Sequence, residues 1–268
     1  MMNNYEKNIY IPKELVNFHT HLTQSAEQVA ILTPLRQPAF MHESKFAGLP
    51  LLTHEMAHPK DDQNQYMLFL AQINFAEFKL EQPFPEDGIL QFYISQQCYD
   101  NVKYRSQSGH FKVQYLPEHE NLEHYIHDFT YLNGVNLANF PIQQEMKLCA
   151  TTQFEPVSAT DYRLNDYFNP EIMHTAITLD DRSFEDVYLE SYLAAEHKIG
   201  GYPYFIHEDF RKQSLYLQHY DTLLLQIVSN DEQKIMWGDS GIMSFFINSE
   251  KLANRDFSDI YFHIEEYE

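Results

Sequence analysis

Apolar residues along the chain either alternate with polar ones or form short runs, a pattern that predicts strands more often than long helices. The 20 Phe and 19 Tyr beside a single Trp favour a sheet, because aromatic rings suit a half-buried pleated surface. Strands or extended segments are predicted over residues 30–35, 66–75, 89–94, 111–115, 145–154, 162–168 and 257–267.

Three segments show helical spacing instead. Apolar residues three and four positions apart predict a helix over residues 12–29 and another over 117–129. A third begins at Ser183, which with Asp186 resembles a capping pair. We expect that helix to continue to Gly200-Gly201, since glycine commonly ends a helix.

Two stretches of the chain resemble each other. Residues 47–55 and 200–208 share Gly-x-Pro and a later His-Glu, 153 positions apart. Matching segments follow at 70–73 and 224–227, and at 88–94 and 241–247. The one-residue slip between these blocks fits an insertion in a loop. We predict an α+β fold that is internally duplicated, with mainly antiparallel β-sheet halves and a few peripheral helices.

The chain contains no linker rich in Gly, Ser or Pro. We therefore predict one compact unit over residues 1–268. Its first half would span about 30–100, a connecting region 101–183, and its second half about 184–268.

Equivalent residues of a duplicated unit tend to face each other across a pseudo-two-fold axis, and a cleft between halves is a common ligand site. Two glutamines lie inside strongly apolar strands, where a buried amide must find hydrogen-bond partners. They either tie the strand to the Gly-Pro loop or serve as recognition groups. The candidate cleft residues are His54, Glu55, Gln72, His207, Glu208, Gln226, Trp237 and Asp239.

Two histidine patterns resemble metal sites. His54-Glu55-Met56-Ala57-His58 matches the zinc-protease motif H-E-x-x-H, but Pro59 would end the required helix at once. Glu120, His124 and His127 are spaced as ligands on one helix, yet the apolar residues of that segment place them on its solvated side. We predict no metal and no cofactor.

The net charge is −21, from 18 basic and 39 acidic residues. This excess disfavours nucleic acid and anionic membranes as partners, because both attract basic surfaces. It fits either simple solubility or a basic protein partner. Two cysteines without metal-like spacing, no signal peptide and no apolar run long enough to span a membrane predict a cytoplasmic protein.

Several segments together resemble the YwqG-like family of bacterial proteins of unknown function. They are residues 44–50, 69–74, 85–92, 198–203 and 236–241. The resemblance covers about residues 30–265, with Ala47 where the family pattern has Gly. It implies an α+β fold of duplicated, mainly antiparallel halves, and it brings no catalytic residues. Some relatives resemble immunity proteins encoded near secreted-toxin genes.

These observations lead to two hypotheses. The first is a non-enzymatic, immunity-like binding protein that uses its acidic surface to hold a basic protein partner. The alternative is a hydrolase that acts on a small or sugar-like ligand in the cleft between the repeats, through His-Glu or Asp residues.

Overall fold

The structure is a computed structural model that describes residues 7–100, 109–117, 125–135, 137 and 139–267. Its strands are β1 (Glu27–Leu35), β2 (Lys45–Phe46), β3 (Leu68–Asn74), β4 (Ile89–Ile94), β5 (Phe111–Leu116), β6 (Met146–Glu155), β7 (Lys198–Gly200), β8 (Thr222–Val228), β9 (Ile242–Ile247) and β10 (Ile260–Glu265). Its α-helices are α1 (His19–Ser25), α2 (Gln96–Asp100), α3 (Leu164–Tyr167), α4 (Phe184–Ser191) and α5 (Ser249–Ala253).

All ten strands form one sheet in the order β10-β9-β8-β7-β1-β6-β2-β3-β4-β5, and every pairing in it is antiparallel. The sheet curls into a nearly closed cylinder, so that Phe111 of edge strand β5 lies 5.3 Å from Phe262 of edge strand β10, centroid to centroid. Phe92 and Phe245 meet inside it at 5.0 Å. The main core therefore lies on the concave face, with few helices outside. The predicted α+β class with a mainly antiparallel sheet is confirmed.

The centre of the sheet joins the two predicted halves. The long pair β1–β6 runs from Glu27 opposite Glu155 to Leu35 opposite Lys147. β1 then pairs with β7, and β6 pairs with β2. β1 therefore lies beside a strand of the second half, and β6 lies beside a strand of the first half.

β3 and β8 share one irregularity. The register of β3 against β4 shifts between Phe69 and Ala71, and that of β8 against β9 shifts between Leu223 and Leu225. Each shift leaves one leucine without a partner on the next strand. Such a bulge bends the strand, and here it occurs at corresponding positions of β3 and β8.

Three predicted elements are wrong. The first helix ends at Ser25, because residues 27–35 pair with strands on both sides and this pairing outweighs local helical periodicity. Residues 164–167 form the short helix α3 rather than an extended segment. The helix that begins behind Ser183 ends at Ser191, and Lys198–Gly200 is a strand.

The helix predicted over 117–129 lies partly outside the described residues. Its described end is extended: Tyr125 forms a β-bridge with Thr53, and residues 126–129 are not helical. By contrast, the predicted capping pair is confirmed, since Ser183 and Asp186 form a reciprocal capping box at the start of α4.

Candidate functional site

Gln72 is a fully buried strut between β3 and two loops. Its side-chain oxygen accepts a hydrogen bond from the Leu51 backbone N–H at 3.0 Å. Its amide nitrogen donates to the carbonyls of Met41 at 2.7 Å and Glu43 at 3.0 Å. These bonds use both amide hydrogens, so the side chain has no donor left for a ligand.

Gln226 makes the same set of bonds in the second half. Its oxygen accepts from the Tyr204 N–H at 2.9 Å, and its nitrogen donates to the carbonyls of Ala194 and Glu196, both at 2.9 Å. The side chain is also fully buried. Both glutamines therefore tie a strand to the loop that follows Gly48 or Gly201.

The two His-Glu pairs lie on exposed turns. His54 borders a cavity between the first half and the connecting region, whereas His207 contacts the Glu266 carbonyl at 3.2 Å in the second half. Residues 54–58 form a turn and not a helix. They therefore lack the helical face on which H-E-x-x-H places its ligands.

Trp237 is 1% exposed and belongs to the main core, so it is not a surface stacking residue. Asp239 is exposed on the following turn, where its carbonyl accepts from the Tyr267 N–H at 3.1 Å. The structure brings neither residue together with the His-Glu pairs in the two cavities described below.

The described residues contain no group of three His, Cys, Asp or Glu side chains arranged to hold a metal. Glu120 and His124 lie outside the described residues. His127 lies in a non-helical segment, so the helical spacing assumed for these three residues does not apply to it.

A buried charge cluster, which sequence reasoning missed, surrounds Arg211. Its guanidinium bonds to the carboxylates of Asp161 and Asp209, each at 2.8 Å, and all three side chains are fully buried. Burial opposes ionisation of Asp161, but Arg211 and then Arg163 outweigh it and lower the pKa of that carboxyl to about 2. Asp209 follows the repeated His-Glu and lies two positions before Arg211. No local pattern in the sequence identifies Asp161 as the second partner of Arg211.

Two lysines beside the repeat loops are buried and paired as well. Lys198 Nζ lies 2.8 Å from Glu155, whose carboxylate also accepts from the Tyr202 N–H. Lys45 on β2 lies opposite Gln72 on β3, and its Nζ is 3.8 Å from the Glu145 carboxylate. Burial lowers the pKa of Lys45 and raises that of Glu155, each against the attraction of its partner.

The larger cavity, of about 670 Å³, lies on the convex face of the sheet, where the first half meets the connecting region. We call it the tyrosine cavity; its lining is His54, Met56, Ala57, His58, Pro59, Lys60, Tyr66, Lys112, Gln114, Ile126 and Tyr131. The rings of Tyr66 and Tyr131 lie 4.7 Å apart, and His58 meets both edge-on at 5.4 and 5.6 Å.

His58 positions one wall of this cavity. Its Nε2 lies 2.8 Å from the Met67 carbonyl, which can only accept, so Nε2 carries the hydrogen. Burial lowers the pKa of His58, and the neutral ring therefore accepts at Nδ1 from the Tyr131 hydroxyl at 3.2 Å. This bond fixes the ring of Tyr131 beside the cavity.

The smaller cavity, of about 350 Å³, lies beside Gly200 and Gly201. Charged side chains of both signs line it, among them Glu27, Arg163 and Asp221. Arg163 lies 3.3 Å from Glu27. Burial raises the pKa of Glu27, against the attraction of Arg163.

A model of a protein family matches residues 44–265 of the chain, which is most of its length. The family is described as a domain of unknown function, DUF1963. The chain belongs to this family. The DUF1963 region contains every residue that lines the tyrosine cavity, whereas Lys7 and Glu27 of the smaller cavity precede it. No curated protein matches the chain.

Proposed function

We propose that this DUF1963 protein is a non-enzymatic binding protein whose acidic exterior holds a basic protein partner. The observation that carries this proposal is the excess of 39 acidic over 18 basic residues, which stays on the exterior because basic and acidic side chains are buried in equal number among the described residues. Lys45, Lys198 and Arg211 are each at most 2% exposed and are paired with carboxylates.

Of the 18 basic residues, no more than 15 lie at the surface, against no more than 36 of the 39 acidic ones, because Asp161, Asp209 and Glu265 are buried as well. An acidic exterior attracts a basic protein during diffusion and speeds the encounter. The other buried polar groups support the same proposal. Gln72 and Gln226 are committed to backbone partners, which leaves recognition to the surface.

Three narrower statements belong to the proposal. The two halves arose by internal duplication, which the matched glutamine struts and strand bulges support. The chain is a YwqG-like, immunity-like member of its family, on the sequence blocks quoted above. It works in the cytoplasm, where a thiol such as that of Cys149, which forms no disulfide, persists. None of the described helices has the length and apolar character needed to cross a membrane.

The test measures association rates with a partner captured from the native host. The on-rate should fall steeply as salt rises, because the Debye length shrinks to about 8 Å at 0.15 M, while the off-rate changes less. Substitutions Glu55→Gln, Glu171→Gln and Glu232→Gln remove three exposed carboxylates that no described ion pair uses, and should slow association further.

The matched control replaces the same three residues by aspartate, which keeps the charge. An on-rate that ignores both salt and the three glutamine substitutions would show that the acidity serves solubility alone.

A second candidate function, hydrolysis of a small or sugar-like ligand, is favoured by one observation. Glu27 borders the smaller cavity with 43% of its side chain still exposed, and its raised pKa suits a general acid. A panel of chromogenic aryl glycosides and esters tests it. Turnover that is lost in Glu27→Gln, with the melting temperature unchanged, would favour the hydrolase over the binding protein.

A further inference from the structure

We propose that the tyrosine cavity binds a small anion that has a planar or apolar body. This site is independent of the acidic exterior and of any basic protein partner. Three features carry the proposal: the reason the cavity exists, its aromatic walls, and the charge at its rim.

The cavity exists because small or solvent-directed residues occupy positions that are filled in the second half. Ala57 lies 153 positions before Phe210. Lys112 lies opposite Tyr93 on the sheet, and Tyr261 lies opposite the corresponding Phe246. In the second half Phe210 and Tyr261 stack at 4.2 Å. In the first half neither ring is present, and the space between the sheet and the loop stays open.

The next position shows the same contrast. Arg211 lies 153 positions after His58. It packs over Phe246 at 5.3 Å and closes the convex face with its two aspartates. His58 instead meets Tyr93 edge-on at 5.4 Å and stays neutral. The convex face is thus sealed by buried ion pairs beside Phe246, whereas beside Tyr93 the same face keeps a cavity next to a neutral ring.

The walls suit a flat or apolar ligand. Tyr131 is 36% exposed, and its hydroxyl is held by His58. Its ring and that of Tyr66 are inclined at 48°, so a planar group can pack against either face. Ile126 and Met56 add apolar surface to the lining. Gln114 also lines the cavity, and its side-chain oxygen is buried without a hydrogen-bond partner among the described residues.

Two lysines, Lys60 and Lys112, lie in the lining of the cavity. Lys60 Nζ lies 4.5 Å from the centre of the Tyr66 ring, a cation–π contact that holds the ammonium at the cavity. Lys112 projects from edge strand β5 into the same lining. No carboxylate lines the cavity among the described residues, although the chain carries a net charge of −21. Two ammonium groups beside aromatic walls select an anion attached to a planar or apolar body.

The experiment is isothermal titration calorimetry with four probes: 2-naphthoate, 2-naphthyl phosphate, 2-naphthamide and inorganic phosphate. The first two share a ring system and differ in the anion, so they distinguish a carboxylate ligand from a phosphate ligand. The third keeps the ring without the charge, and the fourth keeps the charge without the ring. We expect at least one of the two naphthyl anions to bind, with one molecule bound per chain. Its affinity should be at least tenfold higher than that of the amide or of inorganic phosphate.

Two variants locate the binding. Lys60→Met with Lys112→Met should reduce naphthyl-anion affinity to that of the amide, since both side chains are exposed and no described carboxylate pairs with them. Lys79→Met with Lys234→Met removes the same charge from exposed lysines outside the cavity and should leave affinity unchanged. Ala57→Phe should fill the cavity, as Phe210 fills the second half, and abolish binding of every naphthyl probe.

Melting temperatures confirm that each variant is folded before it is titrated. The proposal is overturned if no probe binds at millimolar concentration, or if the amide binds as tightly as the anions. It is also overturned if binding to a folded Ala57→Phe protein is unchanged.

Discussion

The buried cluster around Arg211 makes a quantitative prediction about Asp161→Asn. This substitution replaces a charged carboxylate, which accepts hydrogen bonds from both Arg211 and Arg163, by a neutral amide. Removing one member of a buried ion pair costs about 3–5 kcal/mol, because the remaining charge is left in a poorly solvated place. We expect a loss of that size in the free energy of unfolding at pH 7, measured by urea denaturation.

The pH dependence gives a second, independent magnitude. The pKa of Asp161 falls from 3.8 to about 2 on folding, so the ionised carboxylate stabilises the folded state above pH 3.8. That contribution is lost as the pH falls through 2. At about 1.4 kcal/mol per pKa unit, the stability gap between wild type and Asp161→Asn should narrow by about 2 kcal/mol between pH 5 and pH 2.

Asp166→Asn is the matched control, since Asp166 is exposed on the adjacent helix α3. It should change stability by less than about 0.5 kcal/mol, as surface substitutions usually do. A loss below about 1 kcal/mol for Asp161→Asn, or a gap that stays constant from pH 5 to pH 2, would refute the assignment of this cluster as a stabilising unit.

Three further predictions concern the interior. Gln72→Ala and Gln226→Ala should each lower the free energy of unfolding by about 1–3 kcal/mol in urea denaturation, because buried backbone groups lose their hydrogen bonds. Each variant should still bind the protein partner while it is folded. A near-native melting temperature with weakened binding would instead favour recognition roles. Burial lowers the pKa of His197 from 6.5 to about 4, so stability should fall by about 3 kcal/mol as pH drops from 6.5 to 4, and an unchanged slope in His197→Asn would contradict this. Gly201→Ala should lower the melting temperature by several degrees more than Gly134→Ala, because Gly201 has a φ of +61° and an added Cβ would clash with the Glu155 carboxylate, whereas Gly134 has open space.

Much of the fold followed from local signals. The strands over 89–94 and 111–115 and the capping box at Ser183 depend on residues close together in the chain, and the structure confirms them. The repeated spacing also identified Gln72 and Gln226 as matched positions. Because a buried amide needs partners wherever it lies, their structural role was predictable before those partners were known.

Two of the three errors share one physical cause. Residues 27–29 were predicted to be helical and residues 198–200 to end another helix, but both segments are strands at the centre of the sheet. Val29 pairs there with Gly200, which is 171 positions away. The periodicity of a short segment cannot reveal hydrogen bonds and burial that a strand so distant in the sequence provides.

The sequence alone determined which residues are repeated, that segments such as 89–94 and 111–115 are extended, and that acidic residues far outnumber basic ones. Only the tertiary structure decided that Asp161 pairs with Arg211, that β1 and β6 lie together, and that Ala57 and Lys112 leave a cavity where Phe210 and Tyr261 leave none. The reason is that strand propensity and charge belong to a residue and its neighbours in the chain. A cavity or a buried ion pair belongs instead to the space that distant segments enclose, so its chemistry appears only when those segments meet.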